Sequence, residues 1–202
     1  MIKLKFNQSM IDEALNKSKQ IGILKDSFRK GKGQQHGLLA EFAVKEYFKD
    51  LIKPTENFYN NDLTIADYKV EIKSKTLKQV KDITEWSIAK TSSFQKPDYY
   101  FFVNVNYNEN IKNTNEIYLA GYISHKDFYN RAKFYPKGYQ HKGGFTSTGG
   151  KSPIDHYNIF QYELTCVSKT TIFGQGNGVQ LKLSIWSRVQ EDSRILYFIV
   201  SV

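Results

Sequence analysis

Hydrophobic and polar positions along the chain fall into stretches of different period. Over residues 8–30, Ile11, Ala14, Leu15, Ile21 and Leu24 recur at helical spacing with lysines between them, which predicts a basic helix. Gly31-Lys32-Gly33 interrupts it. A second helix is predicted from about His36 to Asp50, with Leu39, Phe42, Ala43, Tyr47 and Leu51 as a core-facing stripe and Glu41 beside it. Pro54 ends that helix, and the period then drops to two. In residues 61–74, Leu63, Ile65, Tyr68, Val70 and Ile72 fall on one face of a hairpin, and Asp62, Thr64, Lys69, Glu71 and Lys73 on the other. Residues 77–96 read as an amphipathic helix anchored by Val80, Ile83, Trp86 and Ile88. Pro97-Asp98 opens a run from Tyr99 to Val105 that is apolar nearly throughout, as in a strand covered on both faces. A further strand is predicted over Glu116–Ile123, and Ser124 is placed to cap a short helix over Lys126–Arg131. Phe134 to Lys151 reads as loop, and Gln180–Trp186 and Ile195–Val202 as a C-terminal strand pair. The expected fold is mixed α/β: residues 1–165 form the main domain, and 166–202 a β-strand extension of it.

Composition adds a partner to this picture. The 202 residues are 40% hydrophobic and 24% charged, ordinary for a globular chain, but the net charge is +9 and the pI about 9.4. That balance favours a polyanion: nucleic acid first, an anionic membrane surface second. No apolar run reaches the roughly 18 residues of a membrane span, so no membrane association is expected. The opening residues lack the apolar core of a secretory signal, and Cys166 is the sole cysteine, so a cytoplasmic, reducing setting is expected. His36, His125, His141 and His156 show no metal-ligand spacing and read as surface or loop histidines. Lysine far outnumbers arginine, which suits backbone phosphate contact more than base reading.

The candidate chemistry lies in the hairpin. A two-residue turn at Ala66-Asp67 sets Asp62 directly opposite Glu71, with like charges about 5 Å apart at Cβ. A divalent cation would convert that repulsion into coordination by hard oxygen ligands, with the Ile72 carbonyl completing the shell. Lys73, two residues on and on the same face, would reach a bound phosphate or the attacking water. Asp67 competes with Asp62 for the first acid position, but as a turn residue it more naturally shapes the hairpin.

Asp62 followed by Glu71-Ile72-Lys73 resembles the active site of the PD-(D/E)XK, or restriction-endonuclease-like, nuclease superfamily. The order of helix, hairpin, helix and buried strand over roughly residues 36–128 is similar to that family's αβββαβ core, a mixed central sheet flanked by helices. Asn61 stands where the nominal motif has proline. The resemblance implies an Mg²⁺- or Mn²⁺-dependent endonuclease acting on DNA. Asp62, Glu71, Ile72 and Glu41 would then serve the metal, and Lys73 would act with Asp62, Glu71 and Glu41 in catalysis. An RNA-directed nuclease and a catalytically inactive nucleic-acid-binding protein on the same fold are the alternatives. A homodimer is the expected assembly if both strands of a duplex are to be cut symmetrically.

Nucleic-acid contacts are expected from Lys30 and Lys32 at the end of the basic helix, from Lys75 beyond the site, and from Arg131, Lys133, Lys137, Lys142 and Lys151. The last five lie in or beside a segment where cations alternate with aromatic rings. Gly144 to Ser152 approaches the spacing of a phosphate-binding loop, but its first glycine is one position out of register and no strand leads into it.

Overall fold

The computed structural model describes residues 1–22, 33–53, 61–77, 85–92, 95–107, 111–140 and 151–165. The expected C-terminal strand pair, Lys30, Lys32, Lys142, His141, Cys166 and most of the glycine-rich 144–152 segment lie outside these residues.

A short strand β1 (Ile2–Leu4) is followed by α1 (Gln8–Ile21) and α2 (Gln34–Tyr47). Then come β2 (Ile52–Lys53), β3 (Leu63–Ile65), β4 (Tyr68–Leu77), β5 (Glu85–Ala89), β6 (Tyr99–Tyr107) and β7 (Thr114–Ser124). The described chain continues through α3 (His125–Arg131), β8 (Lys133–Tyr135) and β9 (His156–Phe160). Six strands form one mixed sheet in the order β1-β7-β6-β4-β3-β2, in which β4 and β6 are the parallel pair. Strands β5, β9 and β8 form a separate antiparallel sheet. The mixed α/β class is therefore as expected.

Each face of the large sheet has its own cover. Leu63, Ile65, Val70, Ile72, Phe101, Val103 and Val105 pack with Ile11 and Ala14 of α1 and Leu39, Ala43 and Val44 of α2. On the other face, Tyr100 and Phe102 pack with Trp86 and Ile88 of β5, Phe128 of α3 and Ile159 of β9. The alternation along β6 thus feeds two cores, which is why its sequence is apolar almost without a break. Within α2, Leu39 and Ala43 are buried as expected, but Tyr47 is 36% exposed and Leu38, Ala40 and Val44 widen the buried stripe. Ser124 caps α3 as its sequence suggested, accepting the Asp127 N–H at 3.0 Å.

The helix expected over 77–96 is replaced, in the described residues, by β5. Trp86 and Ile88 are buried at 2% and 1%, while their neighbours Glu85, Ser87 and Ala89 turn the other way. That is period two, and its partner β9 lies some seventy residues downstream, so tertiary pairing overrides the local helical reading. Part of the segment read as loop from Phe134 is likewise strand, since β8 lies against β9. His36 and His156 are buried at 7% and 3%, contrary to their reading as surface or loop residues. Among the described residues, no helix is long and apolar enough to cross a membrane.

Candidate active site

The hairpin turn sets the register of the site. Ala66 and Asp67 have φ of 45° and 75°, both left-handed, which is the type I′ turn whose twist matches paired strands. The turn pairs Ile65 with Tyr68, Thr64 with Lys69 and Leu63 with Val70. The regular pairing stops there, one residue short of the Asp62–Glu71 pair expected from the alternation. Asp67 belongs to the turn and is ion-paired with Lys53, which leaves Asp62 as the candidate first acid. Tyr68, placed on the apolar face by pattern, is 43% exposed and rests edge-on against Tyr99 at 5.4 Å.

Beyond Leu63 the regular β3–β4 ladder ends, and side chains replace it. Asn61 is 3% exposed and donates its amide to the Leu63 carbonyl at 2.8 Å, holding the chain in a local turn. The Asp62 N–H then donates to Val70 O at 3.1 Å, and Asp62 Oδ2 accepts the Ile72 N–H at 2.6 Å. Asp62 is thereby fixed across the edge of β4 beside Glu71, its other oxygen not needed for the backbone.

Glu71 is 4% exposed, because β4 is covered on both faces and the polar face of the hairpin is not a solvated one. Its Oε1 accepts from Lys73 Nζ at 2.7 Å, and its Oε2 is buried without a hydrogen-bond partner. Lys73 Nζ also donates to Gln95 Oε1 at 3.3 Å. Gln95 precedes β6 and carried no periodic signal that would single it out. Asn61 did carry one, since an Asn before a strand is a common turn-former.

Glu41, from the rim of α2, completes the cluster electrostatically. Loss of solvent raises its carboxyl to about 7; the Lys17 ammonium opposes that rise, Glu71 adds to it, and Lys73 opposes it. Asp62 is also held well above the usual carboxylate range, first by desolvation and then by the charges of Glu71 and Glu41. The Ile72 N–H and Lys73 offset this only in part. Lys17 Nζ stands 5.5 Å from the Phe42 ring centroid on the neighbouring helix. Three acids therefore share a desolvated region with Lys17 and Lys73, and Asp62 and Glu41 hold their protons more tightly there than in water.

A bound cation would take the place of those protons and meet the orphaned Glu71 Oε2. Among the described residues, however, no three His, Cys, Asp or Glu side chains are gathered as a ready-made ion cage. One oxygen of Asp62 is committed to Ile72 N–H and one of Glu71 to Lys73. The donor set fits a hard cation held by two carboxylates and a carbonyl, with water and phosphate filling the remaining positions. Ile72 presents its backbone to the same edge as Asp62.

Of the expected phosphate-contacting residues, Lys75, Arg131, Lys133, Lys137 and Lys151 are among the described residues. Lys75 is partly buried and donates to the Glu85 carbonyl at 2.9 Å, tying β4 to the small sheet. Arg131, Lys133, Lys137 and Lys151 are exposed, at the end of α3, on β8 and in the segments that follow. Comparison with protein-family models gives no match for this chain, and comparison with curated proteins gives none either.

Proposed function

We propose that the chain is a metal-dependent nuclease of the restriction-endonuclease-like type, hydrolysing phosphodiester bonds in DNA. The observation that carries this reading is Asp62, hydrogen-bonded to the Ile72 N–H and close enough to Glu71 to feel its charge, in a desolvated place with Lys73 in contact with Glu71. Asp62, Glu71 and the Ile72 carbonyl would hold Mg²⁺ or Mn²⁺. When bound, such an ion polarises the phosphoryl oxygen and lowers the pKa of a coordinated water. Lys73 keeps its ammonium at the same place, where it balances negative charge on the reacting phosphate and orients the attacking water. Gln95 fixes the direction of that ammonium. Glu41 would serve the metal directly or through a water, and its proton affinity near neutrality suits transient proton uptake at its carboxylate.

The large sheet supports the fold assignment in one respect and departs from it in another. A helix followed by a hairpin and a strand parallel to its second arm matches the expected core, but the crossover to β6 contains β5 rather than a described helix.

A second reading, a nucleic-acid binder without turnover, draws on the Lys73–Glu71 pair, which partly neutralises the site on its own. Cleavage of labelled DNA in Mg²⁺ and in EDTA separates the two. The nuclease reading expects Mg²⁺-dependent products that Glu71→Ala and Lys73→Ala each abolish. Unchanged cleavage by both variants, or salt-sensitive binding with no products from any DNA or RNA tested, would overturn it.

A further inference from the structure

The acid cluster has a second cation beside it that the proposed chemistry does not use. Lys17 is exposed on α1, one turn beyond the buried Ala14. Its Nζ stands 5.5 Å from the Phe42 ring centroid, and Phe42 follows Glu41 in α2. Glu13 precedes Lys17 by four residues, the helical spacing at which opposite charges pair most readily. Lys17 nevertheless forms no ion pair among the described residues. Its ammonium is turned toward α2, and it offsets the charge of Glu41 more than Lys73 does.

The two lysines reach the acids from opposite faces of the large sheet. Lys73 pairs with Phe102 in the β4–β6 register and shares its face, the one covered by β5 and α3. Ile72 points the other way, into the core built with α1 and α2, and Lys17 belongs to that side. Asp62, hydrogen-bonded to the Ile72 N–H, lies at the strand edge between these faces. A phosphodiester backbone crossing that edge meets carboxylates, so it needs cations on both sides to be held there. Lys73 is already engaged by Glu71 and Gln95. The Lys17 ammonium has three donors and, among the described residues, rests over a ring without an acceptor. It is a compact point charge of the kind that suits a phosphate.

We infer that Lys17 holds a DNA backbone phosphate flanking the bond to be cut, on the α1 side of the site, while Lys73 serves the reacting phosphate. The inference rests on the nuclease reading for which bond lies at Asp62 and Glu71, but not for its test. Ordered over Phe42, the ammonium has less side-chain freedom to lose on contact. A purely structural role, in which the cation–π contact staples α1 to α2, predicts a small loss of Tm and no effect on DNA binding.

Fluorescence anisotropy of the full chain in EDTA, with a labelled duplex oligonucleotide across a KCl series, decides it. Lys17→Met keeps an unbranched stem over Phe42 and removes the charge. It should weaken binding by roughly five- to tenfold at 0.1 M salt and flatten the slope of log K against log salt by about 0.9. Lys17→Arg should bind as the wild type does, which guards against misfolding as the cause. Lys19→Met removes an equal charge from the opposite side of α1 and should change neither quantity. In a cleavage assay with Mg²⁺, the loss in Lys17→Met should fall on KM rather than kcat. Wild-type affinity and slope in Lys17→Met, equal losses in Lys17→Met and Lys19→Met, or no binding by the wild type overturns the assignment. Lys17-dependent binding by a protein that cleaves neither DNA nor RNA would sink the nuclease reading and leave the phosphate contact standing. Cleavage with Lys17-independent binding would do the reverse.

Discussion

Replacing Glu41 with Gln should make the metal-free protein more stable at pH 8 while removing part of its site. In the folded chain the Glu41 carboxyl titrates at about 7 against an ordinary 4.5, chiefly because α2 holds it out of solvent. The folded state therefore binds the proton more tightly than the unfolded state does. Below the unfolded pKa both states are protonated, and the group costs nothing. Between about 4.5 and 7 stability falls as pH rises, and above 7 the whole penalty is present. At about 1.4 kcal/mol per pH unit the penalty is about 3 kcal/mol, an order-of-magnitude figure. Raised proton affinity at Asp62 adds to it in the same direction. Glu41→Gln keeps the shape of the side chain and removes the charge, so its advantage over wild type should be small at pH 5 and about 3 kcal/mol at pH 8. For a chain of this size that is roughly 6–12 °C in Tm. The assay is thermal or urea unfolding of both proteins in EDTA across pH 5 to 8. Comparison within the pair cancels the contribution of the histidines. Parallel stability curves, or a wild type that gains on the variant as pH rises, would refute the electrostatic account. Mg²⁺ should raise wild-type Tm more at pH 8 than at pH 5, because the cation and the proton compete for the same oxygens.

Two further expectations concern the parts that position the site. Ala66→Gly relieves a left-handed non-glycine residue and should stabilise the hairpin by up to about 1 kcal/mol, read from the urea midpoint with an unchanged m-value; a loss of stability would count against the turn assignment. Gln95→Ala removes the second hydrogen bond to Lys73 Nζ and should lower kcat by roughly tenfold with little change in KM, whereas a pure KM effect would place Gln95 in binding instead.

The hairpin register was legible from sequence because it is local. The two-residue turn at Ala66-Asp67 sets the register as far as Leu63 opposite Val70, and that turn is present in the structure; Asp62 is placed beyond it by its own hydrogen bonds to Val70 and Ile72. The two-sided burial of β6 was legible for a similar reason, as its run of apolar residues leaves no solvated face. What sequence did not reveal depends on distant partners. β1 has three residues and exists because it pairs with β7 more than a hundred positions away. β5 looked helical until β9 supplied its other edge. The same small sheet changes the nature of the site. It covers the face on which Glu71 lies, turning a supposed surface pair of acids into a desolvated one. The roles of Gln95 and Asn61 also follow from tertiary placement, the first by reaching Lys73 and the second by shaping the approach to Asp62.

The central claim is that Asp62 and Glu71 share a divalent cation. Titrating the protein with Mn²⁺ at pH 7.5, with free ion followed by electron paramagnetic resonance, tests it without requiring the right nucleic acid. The account predicts saturable binding by the wild type that is abolished in both Asp62→Asn and Glu71→Gln, each still folded. Wild-type protein that takes up no Mn²⁺, or variants that bind it as tightly as the wild type, would contradict it.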